Sequence, residues 1–360
     1  MPIPPAAQVQ TVDHEFAFEY GGAIPRLEIA FESFGSLNSA RDNLVLVLPA
    51  FSAHCHIRSS AADPSPGWWE KMVGPGLAID TDRFFVVCSS NLGGCHGTSG
   101  PRSTDPRTGQ DYGAHFPLVG IGDLVRAHLA LLDALGINAA HAVIGGSMGA
   151  MQALEIGLRH PGRTRRVIAV SGTDHTRPAT AAIRHLGRKA IMLDPDFKGG
   201  HYGENLPRRG LGLARELGTV FYRSKGEFND RFSWKPIAKP SFDAPTFDVQ
   251  GYLNHQGNKI VATFDANAYL RLSMAMDLHD LTRDGRSVEE LAERASARFL
   301  IGGVIEDRLL PISEQVGIRD VLRAGGADVS WFETSSPVGH DAFLVETESF
   351  SAAIRPFLKR

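Results

Sequence analysis

Along this chain short uninterrupted apolar runs alternate with longer stretches in which apolar residues recur every three or four positions. Residues 43–49 (NLVLVLP) and 83–89 (RFFVVCS) are β-rich and apolar throughout, as in strands buried on both faces. Residues 122–135 (GDLVRAHLALLDAL) carry leucines and alanines at helical spacing, with Asp123 near the start and Gly136 as a stop. A run at 141–144 (HAVI) reads as another buried strand, and Met151, Leu154, Ile156 and Leu158 then recur as on one helix face. Residues 166–171 (RVIAVS) return to strand character. The alternation predicts an α/β protein with a mostly parallel central sheet and helices on both faces. After Gly172 it stops: from 173 to 290 the chain is helix-like, interrupted by Gly199-Gly200 and by Pro236, Pro240 and Pro245. Strand patterns resume at 298–304 (RFLIGGV) and 328–333 (DVSWFE). The expected organisation is a core of residues 1–172 and 291–360 with a helical lid of residues 173–290.

Between the strand at 141–144 and the helix that follows lies Gly145-x-Ser147-x-Gly149. A strand, a tight turn and a helix around a serine make a nucleophile elbow, and its glycines keep neighbouring side chains away from a strained turn. The ordinary alternative is a serine capping a helix. The α/β-hydrolase fold carries such an elbow, places a helical insertion before its seventh strand, and follows the serine with an acid and then a histidine. Asp307 falls just past the strand at 298–304 and His340 just past the strand at 328–333. A serine hydroxyl is a poor nucleophile until an imidazole takes its proton, and a buried carboxylate fixes that imidazole's tautomer. Asp307 could instead cap a turn, and Glu306 beside it could be the acid. An oxyanion hole needs two N–H donors; Met148, after the nucleophile, is expected to supply one and Phe51, in the loop after residues 43–49, the other. His54 and His56 flank Cys55, but no further ligand is placed by sequence, and no metal is expected.

Composition narrows the partners. With 37 basic and 40 acidic residues the formal net charge is −3, which suggests neither nucleic acid nor an anionic membrane. No apolar run approaches the ~20 residues of a membrane span. Residues 1–16 show no basic and apolar signal-peptide pattern, and Cys55, Cys88 and Cys95 lack metal-type spacing. These features fit reduced thiols in a cytoplasmic protein.

Residues 67–110 (GWWEKMVGPGLAIDTDRFFVVCSSNLGGCHGTSGPRSTDPRTGQ) resemble the signature block of the homoserine/serine O-acyltransferase family. The resemblance continues through 145–154, 193–202, 221–232, 252–281 and 339–344, so it spans nearly the whole chain. It implies a ping-pong transfer from acyl-CoA, with acetyl the commonest group and no bound cofactor, through Ser147 to the hydroxyl of L-homoserine or L-serine. It also implies that Arg223 holds the amino acid's carboxylate and Asp341 its ammonium, with a lid salt bridge and a helix cap as the plain alternatives. Residues 63–70 and 171–191 are closer to the serine branch of the family. A succinyl donor would want an extra cation, for which Arg58 and Arg184 are candidates. The family's habit of homodimerising through the lid offers an outlet for Leu270, Leu272, Met274 and Met276, and core packing offers another. An esterase or thioesterase and a non-catalytic binding protein are the competing readings.

Overall fold

A computed structural model describes residues 3–359. Its central sheet has eight strands: β1 (Gln8–Val12), β2 (Leu27–Phe34), β3 (Leu44–Leu48), β4 (Phe85–Ser89), β5 (Ala142–Gly146), β6 (Arg166–Val170), β7 (Arg298–Val304) and β8 (Val329–Thr334). They lie in the order β1-β2-β4-β3-β5-β6-β7-β8. β1 pairs antiparallel with β2 and β2 with β4, while the remaining neighbours are parallel. β3 and β5 are buried at every residue, which is why they read as unbroken apolar runs.

Eleven α-helices are found among the described residues: α1 (Ile121–Ala134), α2 (Met148–Arg159), α3 (Pro178–Met192), α4 (Arg208–Tyr222), α5 (Lys225–Arg231), α6 (Asp248–Thr263), α7 (Ala266–Asp277), α8 (Val288–Glu293), α9 (Ile312–Ala324), α10 (Ala342–Val345) and α11 (Thr347–Lys359). α1 begins where the Asp123 carboxylate accepts from the Gly120 N–H at 2.8 Å, and ends at Gly136, whose φ of 68° suits glycine. One apolar cluster joins α1, α2 and the insertion helices to one face of the sheet; a second packs α11 and residues 57–86 on the other face. Leu272 and Met276 of α7 are buried in the first cluster and Leu270 packs against it. The three cysteines are buried and unpaired; desolvation raises Cys55 and Cys95 to about 12 and Cys88 well above its usual range.

The reversal of strand order around β3 brings the loops after β4, β3, β5, β7 and β8 to one end of the sheet. In open parallel sheets the crevice outside the carboxyl ends of the strands is where ligands bind.

Candidate active site

Ser147 stands between β5 and α2 with φ 57° and ψ −121°, a conformation L side chains rarely adopt and one costing about 1–3 kcal/mol. Close approach explains the surrounding glycines. A Cβ on Gly149 would come within 2.3 Å of the Leu48 carbonyl oxygen, and one on Gly146 within 2.6 Å of the Phe343 ring. The Ser147 N–H donates to the Val170 carbonyl at 3.0 Å, tying the turn to the end of β6.

His340 Nε2 lies 2.8 Å from Ser147 Oγ, and His340 Nδ1 lies 2.7 Å from Asp307 Oδ2. The other Asp307 oxygen accepts from the N–H groups of Leu309 and Leu310, each at 2.9 Å, so the carboxylate cannot turn away from the imidazole. All three side chains are buried. Burial pushes the His340 pKa down, but the Asp307 charge and hydrogen bond, with Asp341 beyond, raise it overall above its ordinary value. Glu306, the alternative acid, faces elsewhere: it accepts from Ser335 Oγ and, at 2.7 Å, from the Ser336 N–H.

Ser147 and His340 open on a cavity also lined by Phe51, Arg184, Arg215, Tyr222 and Asp341. Met148 begins α2, so its N–H is one of the four that a helix start leaves without a carbonyl inside the helix. The Phe51 N–H has no hydrogen-bond partner among the described residues. Its ring packs edge-on against Tyr269 of α7, with centroids 4.8 Å apart.

Asp341 sits at the start of α10 yet makes no capping hydrogen bond, and it is among the residues that line the cavity. Arg223, expected to hold the substrate carboxylate, is paired with acidic side chains, while its buried Nε has no partner among the described residues. Its guanidinium is held by Glu227 at 3.3 Å and by Asp341 at 3.4 Å, and it is not among the cavity's lining residues. An arginine that does reach the wall, from α4, the helix that Arg223 follows, is Arg215, seven residues before Tyr222, and its guanidinium carbon lies 5.5 Å from the Tyr222 ring centroid. Residues 215, 218 and 222 share one face of α4 by the i, i+3, i+7 rule, the signal by which sequence could have found Arg215. Arg58 is likewise remote, donating to the Val73 carbonyl at 2.8 Å. Arg184 lines the cavity and shares the Asp277 carboxylate with Arg188.

Beside the site, His56 Nδ1 lies 3.1 Å from both Glu32 oxygens and 3.6 Å from Asp63, while its Nε2 lies 2.9 Å from the Ser65 carbonyl. These three could surround a cation by spacing. Both ring nitrogens already face protein acceptors, so an ion here would have to displace hydrogen bonds that the ring makes within the protein. Burial lowers the His56 pKa, but the Ser65 carbonyl and Glu32 raise it overall.

A family model described as "alpha/beta hydrolase fold" matches residues 43–253. The chain is 44% identical to an L-serine/homoserine O-acetyltransferase of Streptomyces lavendulae, covering 99% of this chain and 98% of that one. It is 41% identical to a serine O-succinyltransferase of Stenotrophomonas maltophilia, again over 99% and 98%. The solved structure of a homoserine O-acetyltransferase from Bacillus anthracis superposes with a TM-score of 0.91 at 29% identity, covering 98% of this chain and 97% of that one.

Proposed function

We propose a course of reaction for a chain that belongs to the homoserine/serine O-acyltransferases of the α/β-hydrolase fold. The enzyme is an acyl-CoA-dependent O-acyltransferase acting on the side-chain hydroxyl of L-homoserine or L-serine. In the first half-reaction Ser147 Oγ attacks the thioester carbonyl while His340 Nε2 takes the hydroxyl proton. Asp307 holds the Nδ1 proton and stabilises the imidazolium. The N–H groups of Met148 and Phe51 receive the oxyanion. Collapse breaks the carbon–sulfur bond, and His340 returns the proton to the departing CoA thiolate. In the second half the amino acid's hydroxyl attacks the acyl-serine, His340 accepts its proton, and Ser147 leaves with that proton restored. The observation that carries this reading is the hydrogen-bonded chain from Ser147 through His340 to Asp307.

The amino acid needs an anchor at each end. Arg215, on the wall and without an acidic partner among the described residues, is assigned its carboxylate; Asp341, uncapped and lining the cavity, its ammonium. Arg223 then acts by holding Asp341. Residues 173–290 serve as a lid over this cavity, and water competes poorly with a hydroxyl held at two points.

Acetyl is the proposed acyl group. A succinyl donor is the second reading, favoured by Arg184 on the cavity wall and by the name of the Stenotrophomonas relative. A homodimer is proposed because the segment after α5 leaves Trp234, Ile237 and Phe242 exposed, a surface a second copy would cover. A cytoplasmic location agrees with acyl-CoA use and with three unpaired thiols.

A steady-state matrix of acetyl-CoA and succinyl-CoA against L-homoserine and L-serine tests the reading by thiol release. Release that depends on the amino acid is expected. Release at the same rate without any amino acid would make the protein a thioesterase instead.

A further inference from the structure

Behind the nucleophile a chain of buried side chains runs from the end of β4 to the loop after β3. Ser89 Oγ lies 2.6 Å from His128 Nδ1, and His128 Nε2 lies 2.7 Å from Gln152 Oε1. The Gln152 amide nitrogen reaches the Pro49 carbonyl at 3.2 Å, Asn91 Oδ1 at 3.3 Å and the Met148 carbonyl at 3.4 Å. Asn91 Nδ2 donates to the Ala50 carbonyl at 3.2 Å. All four side chains are buried, and neither Asn91 nor Gln152 lines the cavity.

Each proton in this chain has a determined place. The Gln152 nitrogen faces carbonyl oxygens, so its oxygen accepts and His128 Nε2 carries the hydrogen. Burial lowers the His128 pKa to about 4, which keeps the ring neutral and leaves Nδ1 to accept from Ser89. The sequence of donors therefore runs one way and ends on the backbone of residues 49–50.

The Ala50 carbonyl and the Phe51 N–H belong to one peptide unit. The chain has no cis peptide bonds among its described residues, so this unit is trans and its N–H points opposite to its C=O. The carbonyl is held by Asn91 Nδ2 at 3.2 Å and by the Ala53 N–H at 3.1 Å, which turns the N–H of the same unit away from Asn91, and that N–H has no hydrogen-bond partner among the described residues. We propose that Asn91, itself held by Gln152, is a positioning residue that aims the Phe51 N–H at the oxyanion of both half-reactions. This rests on the assignment of Phe51 as a donor. Gln152 lies on α2, the helix that supplies the Met148 N–H, so one network sets the spacing of both donors.

Single-turnover thiol release with acetyl-CoA, or with succinyl-CoA if that is the donor turned over, isolates the acylation step. Asn91→Leu keeps the branching of the side chain and removes its amide. It should slow acylation about 10- to 100-fold, somewhat less than outright loss of an oxyanion donor, and leave the acyl-CoA KM within about threefold. Phe51→Pro removes the N–H itself and should slow acylation by about 10²–10³. If Asn91 acts through that N–H, the double variant is no slower than Phe51→Pro alone. Acylation by folded Asn91→Leu at the wild-type rate, or effects that multiply in the double variant, would overturn the inference. Unimpaired acylation by Phe51→Pro would instead remove Phe51 as a donor, a different failure. Gln152→Met serves should Asn91→Leu not fold: reduced acylation with unchanged KM is expected, and the wild-type rate would count against the network.

Discussion

Asp307 meets His340 with one carboxylate oxygen, at 2.7 Å, while the other is pinned by two backbone N–H groups of its own loop. The carboxylate is thus oriented before any substrate arrives. Asp307→Asn would keep the shape but offer an amide that favours the wrong imidazole tautomer. A fall in kcat of about 10⁴ is expected, as for triads elsewhere. Ser147→Ala should abolish the acyl adduct seen by mass spectrometry after incubation with acyl-CoA. An adduct that survives Ser147→Ala would place the chemistry on another residue.

The raised pKa of His340 sets a pH dependence. Only the neutral ring accepts the Ser147 proton, so acylation is lost as pH falls through the raised value, and the acid limb should lie above 6.5. The sign for stability is opposite: the charged ring's interaction with Asp307 is fully present below 6.5 and fades as pH rises through the folded value. Asp341→Asn removes one charge that favours protonation and should move the acid limb of single-turnover acylation to lower pH. An unmoved limb would mean that Asp341 does not act on His340.

The core strands β3 to β8 were legible because their runs of apolar residues need no tertiary information, and the elbow because Gly145, Ser147 and Gly149 stand in one local pattern. β1 and β2 were not singled out. They are the antiparallel edge of the sheet, and β2 interrupts its apolar residues with a half-buried Glu28 paired to Arg26 and with Glu32, whose burial has meaning only beside His56. Sequence order alone left Asp307 and Glu306 open; the side-chain directions at the end of β7 separate them. Arg215 lies outside the motif that carries the resemblance, and its place on the cavity wall depends on which face of α4 looks inward, which sequence spacing alone does not say. The relation between Asn91 and Phe51 joins two loops through a helix residue, Gln152, and could be read only in three dimensions.

Arg215 and Arg223 can be told apart by kinetics. A charge-assisted hydrogen bond is worth about 1.5–3 kcal/mol, so Arg215→Ala should raise the amino-acid KM by roughly 10- to 150-fold. The rate of single-turnover acylation, which needs no amino acid, should be unchanged. Arg223→Ala, acting only through Asp341, should raise that KM less. A larger effect at Arg223 than at Arg215 would return the carboxylate to Arg223.

The pair of Glu32 and His56 should matter for stability before it matters for catalysis. His56 is 4% exposed and Glu32 2%, and the ring is hydrogen-bonded at both nitrogens. Removing one member leaves the other charge buried without its partner, which costs about 3–5 kcal/mol. Glu32→Gln and His56→Ala should each lower the urea midpoint accordingly. The raised His56 pKa makes the contribution full below 6.5 and diminishing as pH rises through the folded value, so the gap between wild type and His56→Ala should narrow under alkaline conditions. Because both ring nitrogens already face protein acceptors, zinc should not raise the melting temperature and chelator should not lower it. A zinc-dependent rise abolished by His56→Ala would show that a metal can displace those hydrogen bonds, and that Glu32, His56 and Asp63 form a cation site after all.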